Sequence, residues 1–288
     1  MAVLKRIHIF SAFFLVLFLF NSCSEYQRLL KSDDFELKYK RAIEYYEEEN
    51  YGRAIALLTD VTPFYRGTAK AEEVNYYYAM AHYKMGDYIL ASHYFKSFAN
   101  AFPRSSHAEE FAFLSAYCLY LDSPRYSLDQ TNTLQAIREL QRFINRYPQS
   151  ERVEDANQLI DELRYKLERK RFMSGKLFLD ISDYMAAATT FKTFTQDFPD
   201  SKYREEATFL IIKAHFEFAS NSIPQRQEER FENVIEAYQA FIRRYPDSSY
   251  MRDAERMHQQ AENMIASFQE ARETREARET TETSTVNN

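Results

Sequence analysis

Four isolated glycines (52, 67, 86 and 175) in 288 residues cannot build a phosphate-cradling loop, and with only seven prolines the chain is poor in tight β-turns as well. Tryptophan is absent, which removes the flat platforms on which glycans are commonly held. The two cysteines, Cys23 and Cys118, are too few for a disulfide framework. Basic residues do not predominate: 37 Lys and Arg stand against 43 Asp and Glu, a balance that argues against nucleic acid as a partner. Six histidines complete the shortages. His82, His93, His107 and His215 have no Cys or His three or four residues on, so no metal or cofactor is expected. Serine-nucleophile motifs are missing too, and the acid clusters Glu47 to Glu49 and Glu228-Glu229 read as solvated helix faces. The chain reads as a binding protein rather than an enzyme.

What the chain does have is aromatic side chains, 16% of all residues, and they recur in a fixed phrase. YFKSFANAFPRS (Tyr94 to Ser105) returns as LQRFINRYPQS (Leu140 to Ser150), FKTFTQDFPDS (Phe191 to Ser201) and YQAFIRRYPDS (Tyr238 to Ser248). Bulky residues three and four apart share one helical face, and the proline then ends the helix. Counting back from Pro103, the residues Phe98, Phe95, Ala91, Tyr88 and Ala79 match the tetratricopeptide pattern, a helix-turn-helix unit of about 34 residues. Small residues at Ala79 and Ala91 let two helices cross closely. The phase gives Ala42 and Ala54 in a degenerate first copy, with Arg66 in the proline slot and Asn50-Tyr51-Gly52 set where Gly86-Asp87-Tyr88 stands. It gives Ala116 and Ala136 in a third copy, Gly175 and Ala187 in a fourth, and Ile212 and Val234 in a looser fifth.

The expected fold is therefore all-α, a tetratricopeptide-repeat α-solenoid of about five copies over 35–279. Repeats fall at about 36–68, 73–105, 110–150, 169–201 and 204–248, a capping helix at 250–279, and a disordered tail at 280–288. Copies longer than the unit imply insertions: a loop from Asp122 to Asn132, a prolonged helix from Glu151 to Arg169, and a loop from Ser220 to Arg230. Cys118, inside an apolar helix, is expected to be a buried packing residue.

The chain opens with Lys5 and Arg6, an apolar run from Ile7 to Phe20, and then Asn21, Ser22 and Cys23. The run falls short of the ~20 residues that a spanning helix needs and fits an export signal. Bulky Phe20 does not suit the usual cleavage site, whereas small Ser22 before Cys23 resembles the lipobox of bacterial lipoproteins. The reading is a signal peptide at 1–22, an acylated (palmitate-bearing) Cys23 and a short tether over 23–34.

A helix-pair array behind a lipobox, with recurring F/Y-P-x-S ends and an insertion carrying Pro124-Arg125-Tyr126 and Asp129-Gln130-Thr131, resembles the BamD family of outer-membrane β-barrel assembly lipoproteins. The resemblance implies a protein facing the periplasm and held in the outer membrane through its N-terminal lipid. It also implies binding of the periplasmic domains of a BamA-like barrel protein through the C-terminal half, and of unfolded outer-membrane barrel proteins. Two other functions fit the same residues: an adaptor in another envelope assembly machine, or a nutrient-binding lipoprotein, the latter disfavoured by the missing tryptophan. From the repeat phase alone, Tyr39, Ile43 and Tyr46, Tyr76, Met80 and Tyr83, and Phe113, Tyr117 and Tyr120 should line the inner face of copies one to three. The bland alternative is that some of these residues only pack between repeats; so contiguous an apolar set points to a partner, and the resemblance implies a peptide of an unfolded barrel protein in an aromatic groove.

Overall fold

A computed structural model describes residues 25–286, and all of their regular secondary structure is helical. The chain divides after Leu163 into two compact units. The first holds α1 (Phe35–Glu47), α2 (Tyr51–Tyr65), α3 (Ala71–Met85), α4 (Tyr88–Ala101), α5 (Ala108–Leu121), α6 (Thr131–Arg146) and the beginning of α7 (Val153–Asp180). The second holds the rest of α7 with α8 (Tyr184–Asp197), α9 (Arg204–Ser220), α10 (Pro224–Arg244) and α11 (Met251–Val286). From α1 to α6, and again from α8 to α11, each helix packs on the next, and α1 also touches α3 as α9 touches α11. These are the neighbour contacts of stacked helix pairs. The signal segment and Cys23 lie outside the described residues.

The recurring phrase has a specific geometry. In α4, α6, α8 and α10 the last aromatic becomes the C-cap: Phe102 (φ −123°, ψ 62°), Tyr147 (−127°, 63°), Phe198 (−127°, 69°) and Tyr245 (−132°, 62°). Each precedes a proline, whose ring pushes its predecessor out of helical geometry. Each cap also packs on the ring four residues before it, at 5.0 Å for Phe98–Phe102 and 5.5 Å for Phe143–Tyr147. The serine after Pro-x has its own task. The side chains of Ser105, Ser150, Ser201 and Ser248 accept a hydrogen bond from the backbone N–H two residues on, at 3.0–3.1 Å, and so hold the turn into the next helix.

The small residues are where close crossing requires them. Ala42, Ala54, Ala79, Ala91, Ala116, Ala136 and Ala187 are wholly buried, while Phe95, Phe98, Phe191, Phe194 and Phe241 fill the space between pairs. Each such ring contributes about 1.5–3 kcal/mol through the apolar area it takes from water. Cys118 is buried as well, and burial pushes its thiol up to about 12.

Beside the expected loop from Ser220 to Arg230, which is helical from Pro224 on because proline suits the first turn of a helix, three details depart from the sequence reading. First, residues 25–30 are helical, and Tyr26, Leu29 and Leu30 pack on the first core. This part of the expected tether carries core because its apolar residues meet a cluster that the first repeat alone leaves open. Second, the turn of copy one sits one residue earlier than expected: Glu49, not Asn50, takes the left-handed conformation of Gly86, and Asn50 N donates to Tyr45 O as Asp87 N does to His82 O. Third, the last helix runs on to Val286, past the end at 279 and into the expected tail, since 280–286 contain no glycine or proline to stop it.

Candidate functional site

The candidate site in the first unit is built on the first helices of its repeats. Successive residues three and four apart on α3 and α5 present Tyr76, Met80 and Tyr83 on one and Tyr117 and Tyr120 on the other, with Tyr46 near the end of α1. All six are half-buried. Met80, Tyr76 and Tyr83 lie against the core of Phe95, Phe98 and Phe111, and Tyr117 and Tyr120 against the core of Leu140 and Phe143. Tyr39 and Phe113 are not half-buried as these are, although the Phe113 ring stacks on Tyr117 at 5.9 Å. Both are buried, Tyr39 edge-on to Tyr65 at 5.7 Å and Phe113 edge-on to Phe143 at 5.5 Å, because at their positions the second helix of the same repeat covers the ring.

Ring contacts link the others in two runs, one from α1 to α3 and one along α5. Tyr46 meets Tyr77 at 5.1 Å and Tyr51 at 5.5 Å; Tyr77 meets Tyr76 at 5.3 Å. Tyr76 in turn stacks on Phe111 at 5.3 Å and contacts the His107 ring at 4.7 Å. On α5, Tyr117 and Tyr120 stack at 5.8 Å. Tyr77, Tyr51 and His107 were not among the sequence candidates. Tyr77 sits one residue round the helix from Tyr76, off the expected face, and the signal that could have found it is the run Tyr76-Tyr77-Tyr78 itself.

Four hydroxyls here, those of Tyr46, Tyr77, Tyr83 and Tyr120, are raised above the ordinary tyrosine value. Burial pushes Tyr46 up to about 12, helped by neighbouring Tyr76, Tyr51 and Tyr77. Burial also raises Tyr83, and Tyr117 across the helix pair adds to the effect. The hydrogen bond from Tyr120 Oη to the Glu162 carboxylate, 2.5 Å long, raises Tyr120 to about 12 with burial as a second cause. Such a surface offers large apolar area with neutral polar tips.

The insertion after α5 is tied down by polar groups rather than left loose. Buried Gln130 donates from Nε2 to the carbonyls of Arg125 and Leu128, both at 2.9 Å, and its Oε1 accepts from Thr133 Oγ1 at 2.8 Å. Thr133 also bonds Ser123 at 2.6 Å. The second unit has an open cavity of about 460 Å³ between α10 and α11, with Ile235, Ile265 and Ala266 lining it beside Glu232, Glu236 and Glu262. An apolar floor with an acidic rim suits a partner that brings both apolar and basic side chains. Among the described residues no group of three or more His, Cys, Asp or Glu side chains could hold a metal, and no helix is long and apolar enough to cross a membrane.

The family profile described as "Outer membrane lipoprotein" (YfiO) matches residues 32–230 and 182–272. The chain belongs to this family of outer membrane lipoproteins. A curated relative, the outer membrane protein assembly factor BamD of Caulobacter vibrioides, is 24% identical over 194 residues, which cover 66% of this chain and 63% of the relative. The match thus spans somewhat under two thirds of that relative's length. Among solved structures, the tetratricopeptide domain of P58(IPK) matches with a TM-score of 0.38 at 13% identity, over 84% of this chain and 68% of that one. The resemblance carried by the F/Y-P-x-S repeats and the lipobox thus leads to the family that the profile matches.

Proposed function

We propose that this lipoprotein serves outer-membrane β-barrel assembly, receiving unfolded barrel proteins on the tyrosine set of its first unit and docking the periplasmic domains of a BamA-like barrel protein with its second. It faces the periplasm and is held by lipid on Cys23 once residues 1–22 are removed. The observation that carries the reading is the set Tyr46, Tyr77, Tyr76, Tyr83, Tyr117 and Tyr120, half-buried on three successive repeats. Barrel strands expose apolar and aromatic side chains before insertion, and tyrosine can cover these while remaining tolerable in water when the surface is empty. The cavity between α10 and α11 supports the second half of the reading, since its acidic rim and apolar floor give the partner's domains a separate seat.

The test is a titration of a barrel protein's C-terminal peptide beside a pull-down with the partner's periplasmic domains. Tyr76, Tyr83 and Tyr117 replaced together by Ala should weaken peptide binding by more than about tenfold and leave the pull-down intact, on the scale of buried aromatic anchors. Unchanged peptide affinity in the folded triple variant would remove the set from the function.

A further inference from the structure

The structure's N-terminal helical segment closes a cavity of about 300 Å³ against α1, lined by Glu25, Tyr26, Arg28, Leu29, Ser32, Leu37, Arg41 and Tyr45. Its walls are unusually cationic and aromatic. The Arg53 guanidinium lies 5.0 Å from the Tyr26 ring and 5.4 Å from the Tyr45 ring, and that of Arg41 lies 5.3 Å from Tyr45. Arg41 is shared with Glu44, 2.5 Å away, and Glu25 is the carboxylate on the cavity wall itself. Arg28 is exposed on that wall, and Lys31, also exposed, follows it by three residues. Leu29 and Leu37 give the same cavity an apolar side.

Position decides what such a cavity meets. Glu25 on its wall is two residues from Cys23, and two extended residues reach at most about 7 Å. If Cys23 is acylated, as the functional reading above requires, the cavity is held at the level of the lipid headgroups and cannot leave it. We infer that this cavity takes the phosphate of an anionic phospholipid in the membrane that holds the anchor, with Arg28 and Arg41 on the phosphate and Leu29 and Leu37 on the first carbons of the lipid. Arginine suits this role because its planar fork of donors matches phosphate oxygens. The site would orient the first repeat against the membrane, which a lipid anchor alone cannot do.

The test uses the chain from residue 23 with Cys23→Ser, so that acylation cannot carry every variant to the membrane. Flotation is measured with vesicles of phosphatidylcholine alone and of phosphatidylcholine with phosphatidylglycerol. The chain is expected to float with the phosphatidylglycerol vesicles and not with phosphatidylcholine alone. Arg28→Gln with Lys31→Gln should lower binding by at least about tenfold, since each basic residue near an anionic surface is worth a several-fold change. Lys213→Gln, an exposed lysine of the second unit, should leave it unchanged. No flotation of the parent chain, equal flotation of the double variant, or complete displacement by inorganic phosphate would each overturn the inference. Mass spectrometry of Cys23 in the full-length lipoprotein tests the anchor separately: an unmodified Cys23 would sink the anchor while the flotation result stood on its own.

Discussion

A methyl group placed on Gly175 would stand 2.6 Å from Cε1 of Phe191 and 2.8 Å from Cζ, closer than any side-chain carbon can approach. Phe191 is wholly buried and packs on Phe172 at 5.8 Å, so its ring has little room to retreat. Gly175→Ala should therefore overpack the crossing of α7 and α8 and cost about 1–3 kcal/mol, although alanine is the better helix former by roughly 1 kcal/mol. Thermal unfolding of the variant checks this, with Glu154→Ala as an exposed helical control that should change stability by less than about 0.5 kcal/mol. A gain in stability would mean that the close crossing is not where the repeat phase puts it.

Ser182 (φ 62°) and Glu49 (φ 58°) hold the turn conformation that Gly86 (φ 84°) holds in copy two. A side chain in this region is strained by about 1 kcal/mol, and glycine is not. Ser182→Gly should thus stabilise the second unit slightly, by up to about 1 kcal/mol, while Gly86→Ala should destabilise the first by a similar or larger amount. Denaturant midpoints of the two variants should move in opposite directions. Parallel shifts would show that the turn geometry does not decide the stability.

The repeat units were legible in the sequence because two strong signals agree at each one, an aromatic spacing of three and four and a proline that stops the helix. Pro103, Pro148, Pro199 and Pro246 mark four helix ends to the residue. The turn of copy one falls one residue before the expected Asn50 because Glu49 takes the left-handed conformation, which its residue type does not announce. The docked segment 25–30 was missed for a different reason. Its apolar residues Tyr26, Leu29 and Leu30 have helical spacing, but the stretch is too short to stand out, and its partner surface exists only once α1 and α2 have packed. Among the tyrosine candidates, periodicity could not tell half-buried Tyr76 from buried Phe113, since both follow the same rule and differ only in what the second helix covers.

His82 makes the first unit sensitive to acid. Its ring is 4% exposed, between Tyr78 and Tyr94 at 4.9 and 5.0 Å, and burial lowers its pKa below the ordinary 6.5 while the hydrogen bond with Asp87 opposes this only in part. The folded state therefore prefers the neutral ring, and the unfolded chain takes up a proton first as pH falls. Stability is full above 6.5 and declines as pH drops below 6.5 toward the depressed folded value. His82→Phe should flatten this decline, measured as hydrogen exchange of the α3 amides on either side of pH 6.5. An unchanged slope would place the acid sensitivity elsewhere. His215 shifts in the same direction by burial, so the second unit should keep a slope of its own.

Lys38 joins the N-terminal segment to the first repeat. Its ammonium, on a side chain only 5% exposed, donates to the Leu30 carbonyl at 2.9 Å and to Asp60 Oδ2 at 2.8 Å. A buried ammonium without partners is costly, so this pair of acceptors is what permits a lysine here. Lys38→Met keeps most of the stem's packing and removes both bonds. Asp60 is 42% exposed and can turn to water, whereas the Leu30 carbonyl loses its side-chain partner at the point where the segment meets α1. The expected cost is about 1–3 kcal/mol, felt first as detachment of residues 25–30 rather than as global unfolding. Limited trypsin digestion reads this directly, because the cleavage site Arg28 lies in the docked segment and the cleavage site Lys31 directly follows it. Cleavage there should become faster in Lys38→Met while cleavage in the second unit keeps its rate. Equal rates in variant and parent would mean that Tyr26, Leu29 and Leu30 hold the segment without the lysine, and the wall of the headgroup cavity would then rest on apolar packing alone.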